Sequence, residues 1–321
     1  MKIGSGDVVA SIDMGTNSTR LLVLDVSTGD VLDRLMTITR LGEGVDATGE
    51  LSREAIDRTL TVLRSYKEVM DSRRVSRCRA VATSAARDAS NRDMLFNGAA
   101  EILGVCPELL SGSEEGKLSF TGAISDIHRL PQSSPCYRSS NGTGLLVVDI
   151  GGGSTEVIFG DPAYPDSART MSLDIGCVRL TERCLHHDPP TQAEVKMARR
   201  TANEALLSAR NTIGQSTYGE CLIGLAGTVS TLGSLTLQLD VYDRARIHHL
   251  AMQRSVIKEW AVKLSGEAAD SRLQRPGMVR GREDIIAGGA IVLDEAMSVF
   301  GMKWCLISES DILDGLAGSL I

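Results

Sequence analysis

The chain has 321 residues, with 41 acidic side chains against 34 Lys and Arg and a formal charge of -7. That balance excludes general nucleic-acid binding, so any polyanionic ligand has to be met by local groups. Its seven cysteines (78, 106, 136, 177, 184, 221 and 305) include no C-x-x-C pair, so neither a disulfide framework nor a zinc site is expected. A reducing cytosol fits such a pattern. The first residues lack the apolar stretch of a secretory signal, and the longest apolar segment, 285–293, falls short of the ~20 residues that span a bilayer. The expectation is a soluble, cytoplasmic protein of about two domains, at ~100–200 residues each.

In chain order, apolar runs at 8–12 and 21–26 flank a Gly-rich turn, Asp13-Met14-Gly15-Thr16-Asn17-Ser18-Thr19, and read as strand, turn, strand. Residues 31–38 continue as strand. Ile56, Leu60, Leu63 and Met70 recur at helical spacing, which predicts an amphipathic helix over 52–70 with Ser52 as N-cap. A short strand over 79–83 and a helix ending near 103 follow. Ser111-Gly112-Ser113 is a turn, and Glu114 and Glu115 open a helix over 116–124. The segment 130–144, rich in Pro, Ser and Gly, reads as a loop near a domain junction. The second half repeats the scheme: runs at 145–148 and 157–159 around a second turn, a strand near 171–173, a helix over 192–212, a strand over 221–226, two further helices and a last helix over 312–320. Alternating strands and helices favour mixed α/β sheets.

The second turn, Asp149-Ile150-Gly151-Gly152-Gly153-Ser154-Thr155, repeats the first 136 residues on, and both read D-x-G-x-x-S-T. Glycines let the backbone approach a ligand, while successive N–H groups and the hydroxyls of Thr16, Ser18, Ser154 and Thr155 suit phosphate oxygens. A carboxylate leading into such a turn would repel a phosphate unless a cation lay between them. Asp13 and Asp149 therefore imply a divalent metal, Mg²⁺ being the expected ion and Mn²⁺ the alternative. The repetition distinguishes these turns from ordinary strand connections. The segment Gly112 to Leu118 has neither the Gly spacing nor the Ser/Thr of a P-loop, and no G-x-G-x-x-G follows a strand.

Glu114 and Glu115 have two readings: helix N-terminal acids complementing the dipole, or a general base for an attacking water. Arg87, after the strand end at Thr83, suits a bidentate pair with a phosphate. Gly227 and Thr228, in a further small-hydroxyl turn, are candidates for additional phosphate contacts. Basic clusters at Lys196, Arg199 and Arg200 and at Arg272, Arg275, Arg280 and Arg282 read either as solvated faces or as a track for a long polyanion.

Together these motifs resemble the exopolyphosphatase/guanosine pentaphosphate phosphohydrolase family, in its short two-domain form. The likeness runs over nearly the whole chain, through Asp13-x-Gly-Thr-Asn-Ser, Ala82-Thr-Ser-Ala-x-Arg87, Ser111-Gly-x-Glu-Glu115, Asp149 to Glu156, Gly176-Cys-Val, Gly227-Thr-x-x-Thr and Arg282-x-Asp-Ile-Ile-x-Gly-Gly-Ala. The resemblance implies two actin-like (ribonuclease H-like) domains with a cleft between them, as in actin, hexokinase and the Hsp-type chaperones. The boundaries expected are 1–124 and 125–308, with a terminal helix at about 309–321 packing back on the first domain. It also implies hydrolysis of a terminal phosphoanhydride, with Glu115 as base, Asp149 and Glu156 as metal ligands, and phosphate contacts from Thr16, Asn17, Ser18, Arg87, Gly151, Gly152, Gly153, Ser154 and Thr155. Inorganic polyphosphate is the expected substrate, guanosine pentaphosphate the alternative, and a homodimer the expected assembly. An ATP-dependent kinase or an actin-like nucleotide-binding protein would share the fold, which by itself does not set the chemistry.

Overall fold

The structure, a computed structural model, describes residues 7–140, 144–214 and 219–321. Positions 1–6, on which the expectation of no signal segment rests, and 141–143 of the expected linker lie outside the described residues. The first lobe is built on a sheet of strands β1 (Val8–Met14), β2 (Ser18–Asp25), β3 (Val31–Ile38), β4 (Arg77–Ala82) and β5 (Glu108–Leu109), in spatial order β3-β2-β1-β4-β5. The second lobe uses β6 (Leu145–Ile150), β7 (Thr155–Gly160), β8 (Arg169–Leu173), β9 (Cys221–Leu225), β10 (Ala251–Gln253) and β11 (Trp304–Ile307), in order β10-β11-β9-β6-β7-β8.

The sheets share one plan. β1 is antiparallel to β2 and parallel to β4, just as β6 is antiparallel to β7 and parallel to β9. Both central strands are buried along their full length, and their apolar runs are what a strand covered on both faces requires. These are two mixed-sheet α/β domains of the actin-like plan that the resemblance implied, and the repeated turns occupy the same place in each.

Helices complete the layers. Ser52 caps the helix Arg53–Ser72 by accepting from the Ala55 N–H, and Ile56, Leu63, Tyr66 and Met70 face the first core. In the second lobe the helices Gln192–Ile213, Arg254–Ser265 and Ile286–Val299 share one core with the sheet. The expectation of two helices between β9 and the terminal one needs correction, because Ala226–Leu237, Arg254–Ser265 and Ile286–Val299 all lie there. Ile286–Val299 is apolar almost all round, so it lacks the polar face by which a surface helix is recognised.

Two helices tie the lobes together. Gly112–Ile124 starts in a capping box between Ser111 and Glu114; it sends Leu118 toward Val81, Leu110 and Ile312, and Phe120 and Ala123 toward Leu145, Val147 and Ile158 of the second sheet. The last helix, Ile312–Gly318, lays Leu313 and Ala317 on Leu22 of β2, and the Ser11 hydroxyl of β1 donates to the Leu313 carbonyl at 2.8 Å.

The structure overturns one reading of the cysteines. Cys136 and Cys221 form a disulfide, with Cα atoms 5.4 Å apart and a sequence separation of 85. The pairing depends on where the segment after Arg129 meets the first residue of β9, which spacing along the chain does not reveal. No helix of the described residues is long and apolar enough to cross a membrane.

Phe120 is fully buried on the helix that both lobes share. Phe120→Ala should cost about 3–5 kcal/mol by cavity formation, measured as a lower denaturation midpoint in urea. A loss within ~0.5 kcal/mol, the range of surface substitutions, would show that the helix is not held by this contact.

Candidate active site

Both hairpins close their turns in the same way. The Gly15 N–H donates to the Ser18 carbonyl and the Gly151 N–H to the Ser154 carbonyl, each at 3.0 Å. The turns face each other across the cleft: a Cβ on Gly153 would lie 2.5 Å from the Ser84 hydroxyl and 3.0 Å from that of Thr16, so only glycine permits this approach. Between them the cleft is lined by Asp13, Thr16, Asn17, Ser18 and Arg20 of the first hairpin, Asp149, Gly151, Gly152, Gly153 and Ser154 of the second, Glu115 and Arg282. Asn17 is buried and its side-chain amide nitrogen has no partner, as suits a donor waiting for an anion.

The hairpins differ in the residue opposite the aspartate. In the first, Asp13 pairs in register with Arg20, whose Nη2 lies 2.6 Å from its Oδ2. In the second, Asp149 pairs in register with Glu156. An arginine therefore neutralises the first aspartate, whereas the second site gathers negative charge. Burial pushes Asp149 up to about 6, although the Ser119 hydroxyl donates to its Oδ2 at 2.7 Å. Glu156 is likewise raised well above its ordinary value, first by burial and then by Glu115 and Asp149; its Oε1 accepts from Ser172 at 2.8 Å, while its Oε2 is buried without a partner. Two buried oxygen ligands with excess negative charge fit a hard divalent cation such as Mg²⁺. Asp13, engaged by Arg20, is the poorer ligand.

Glu115 and Glu114 separate cleanly. The Glu114 carboxylate accepts from the Ser111 N–H at 2.9 Å and hydroxyl at 2.7 Å, so the capping reading holds for it. One residue on, Glu115 is buried at the cleft, and burial raises it to about 7 even though Arg87 Nη1 lies 2.6 Å from its Oε2. A carboxylate that titrates near neutrality is suited to general-base work.

Other expectations are modified. Arg87 does not line the cleft with a free guanidinium; it holds Glu115, donates to the Leu110 carbonyl at 2.9 Å and reaches the Ser154 hydroxyl at 3.5 Å. Thr155 is withdrawn, because it is fully buried and its hydroxyl donates to the Ile175 carbonyl at 3.0 Å. Gly227 lines the cleft, but Thr228 is buried behind it and its hydroxyl has no partner. The basic clusters are not a free track: Arg199 pairs with Asp294 and Glu295, Arg200 with Glu204 and Arg275 with Glu267, while Arg272 is buried.

Sequence reasoning passed over Arg20 and placed Arg282 only within a basic cluster and a family motif. Arg20 lies seven positions after Asp13, as Glu156 does after Asp149, so hairpin register alone points to it. Asp311, at the cap of the last helix, takes its other end. Arg282 is 7% exposed, lines the cleft and has no carboxylate within salt-bridge reach among the described residues. Its guanidinium lies over Gly227, where a Cβ would come within 2.0 Å of it. An unpaired buried cation of this kind is a ready partner for phosphate.

Comparison with known proteins gives the family of the chain. The pattern of the Ppx/GppA phosphatase family matches residues 22–319. The protein named exopolyphosphatase 2 of Mycobacterium tuberculosis is 43% identical over 97% of this chain and 98% of its own. Among solved structures, the type II variant of the Aquifex aeolicus Ppx/GppA phosphatase superposes with a TM-score of 0.73 at 28% identity, covering 98% of this chain and 99% of its own. The fold also matches an exopolyphosphatase of Cytophaga hutchinsonii, with a TM-score of 0.84 at 24% identity and coverage of 98% and 97%.

The raised carboxyls link stability to pH. Folding favours the protonated forms of Glu115 and Asp149, so their contribution is complete below the ordinary values of 4.5 and 3.8 and is lost as pH rises through about 7 and about 6. Chelator-treated protein should therefore melt at a lower temperature at about pH 8 than at about pH 5, and added MgCl₂ should restore more of the melting temperature at the higher pH. Parallel melting curves with and without MgCl₂ at both pH values would contradict this assignment.

Proposed function

We propose that this chain, which belongs to the Ppx/GppA phosphatase family, is an Mg²⁺-dependent exopolyphosphatase that releases orthophosphate from the end of inorganic polyphosphate. The observation that carries this reading is the meeting, in one cleft, of two phosphate-type turns, Asp149 with Glu156 paired in register behind it, and the buried Glu115 carboxyl, raised by burial. It agrees with the name of the Mycobacterium tuberculosis relative at 43% identity.

The first turn, with the Asn17 amide and the Thr16 and Ser18 hydroxyls, binds the terminal phosphates from one lobe, and the N–H groups of Gly152, Gly153 and Ser154 bind them from the other. Arg282 adds a fixed positive charge against the phosphate oxygens. Asp149, with Glu156 beside it, would hold Mg²⁺, which would supply neutralisation of phosphoryl charge. Glu115, oriented by Arg87, accepts a proton from water as the water oxygen bonds to the terminal phosphorus. The bridging P–O bond breaks, and the shortened chain leaves with its electron pair.

One feature favours guanosine pentaphosphate as a second reading. A cavity of about 380 Å³ adjoins the cleft, shares Arg20, Gly227 and Arg282 with it, and is lined by Leu35, Met36, Val279 and Tyr242. Apolar walls of that kind suit a ring-bearing nucleoside better than a bare polyphosphate. The pairing of Arg199, Arg200 and Arg275 with acids removes the support for a long polyanion track over those clusters.

Phosphate release from polyphosphates of several lengths, guanosine pentaphosphate and ATP, each with MgCl₂ or chelator, tests the reading. Polyphosphate should be hydrolysed fastest and chelator should abolish turnover; faster release from guanosine pentaphosphate at matched concentration would transfer the assignment to the alarmone. Glu115→Gln should lower kcat by about 10²–10⁴-fold with little change in polyphosphate binding. Glu114→Gln should retain kcat and lose only a helix cap, and equal losses of kcat from both would remove Glu115 as the base.

A further inference from the structure

Arg272 is the largest fully buried side chain of the described residues, 2% exposed, and it does not line the cleft. Its Nε donates to the Leu264 carbonyl at 2.8 Å and its Nη1 to the Glu283 carbonyl at 2.7 Å, while Nη2 lies 3.6 Å from Asp188 Oδ1. Leu264 stands in the last turn of the helix Arg254–Ser265, and Glu283 directly follows Arg282. The guanidinium fork therefore ties a rigid helix end to the residue beside the cleft's unpaired cation.

Burying a charge for two backbone carbonyls is expensive, and an apolar side chain of similar volume would fill the space at lower cost. What the fork supplies and a hydrophobe does not is direction: a rigid donor pair sets the position of the 283–284 peptide, directly after the residue that follows Arg282. Before the helix Ile286–Val299 begins, this segment is otherwise held by the Arg282 N–H bond to Val279, the bonds from Ile285 and Ile286 to the Arg282 carbonyl and the Gly281 N–H bond to the Glu283 carboxylate at 2.6 Å, none of which takes the Glu283 carbonyl. Arg282 needs such a hold. Its guanidinium has no acid to anchor it, and its seat over Gly227 is defined by the backbone from which it projects.

We infer that Arg272 is a positioning residue that acts on phosphate binding through Arg282, by fixing the backbone just after Arg282 at the Glu283 carbonyl and so the aim of the Arg282 guanidinium into the cleft. The inference rests on the reading of the cleft as a phosphate site, but not on polyphosphate being the substrate.

A double-mutant cycle on the full chain tests it, read by calorimetric binding of pyrophosphate in MgCl₂ with circular dichroism and thermal melts as fold controls. Arg272→Met should weaken binding about tenfold, and Arg282→Ala by at least as much, as befits loss of a charge-assisted hydrogen bond. The double variant should bind no worse than Arg282→Ala alone. Losses that multiply in the double variant, or wild-type binding by Arg272→Met, would overturn the inference, as would a wild-type chain that does not bind pyrophosphate. Should Arg272→Met fail to fold, Arg272→Lys carries the same cycle with the same criteria, since lysine keeps the charge but its single head cannot span both carbonyls. A chain that shows the coupling yet releases no phosphate from polyphosphate would support this inference while ending the exopolyphosphatase reading.

Discussion

The site depends on what stands opposite an aspartate in a two-stranded hairpin. The two lobes use the same turn, closed by the same hydrogen bond, yet the cross-strand neighbour is Arg20 in one and Glu156 in the other. Opposite charges in register cancel, whereas like charges in a buried position raise each other's pKa and favour a cation. A duplicated motif is thereby divided into an anion-facing half and a cation-facing half. Phosphoanhydride chemistry needs both within one water-poor cleft.

The elements around the hairpins serve that division. The helix Gly112–Ile124 carries Glu115 and, one turn later, Ser119, so a single rigid element sets both the base and the hydrogen bond to Asp149. Ser111 and Glu114 fix where that helix starts, and hence the rotation that turns Glu115 toward the cleft. At the other end of the chain, Asp311 caps the last helix and also receives Arg20, so the C-terminal segment shares the arginine that pairs with Asp13, and its negative charge adds to burial in raising the Asp13 carboxyl. Arg34 reinforces the same helix start through Asp314.

Closure of the cleft rests on ion pairs between the lobes. Arg183 pairs with Asp46 at 2.6 Å, Arg179 joins Asp46 and Asp88, and Arg40 pairs with Asp284 at 2.8 Å. Arg179 is 6% exposed, so water screens its contacts less than those at the rim. Asp88 follows Arg87 in the chain, which places this lobe-to-lobe contact beside the Arg87 and Glu115 pair. Lobe closure and the alignment of the base thus involve neighbouring residues of one short helix, Ser84–Asp88.

The sequence by itself determined the features that local chemistry dictates. The apolar runs of β1 and β6, the Ser52 cap and the glycines of both turns each act within a few residues of chain, and their spacing is legible without a structure. The repeat at 136 residues is equally legible and makes the two-lobed plan evident. Tertiary structure decided which groups remain free. Thr155 and Thr228 are turn hydroxyls in sequence but buried in space; Arg199, Arg200 and Arg275 read as a basic track but meet acids; Arg282 reads as one of that cluster but meets none. The Cys136–Cys221 disulfide and the all-round apolar helix Ile286–Val299 were hidden for the same reason. Residue type sets what a group can do, but its charge and reactivity are set by neighbours that arrive from distant segments, and only the packed chain brings those neighbours within range.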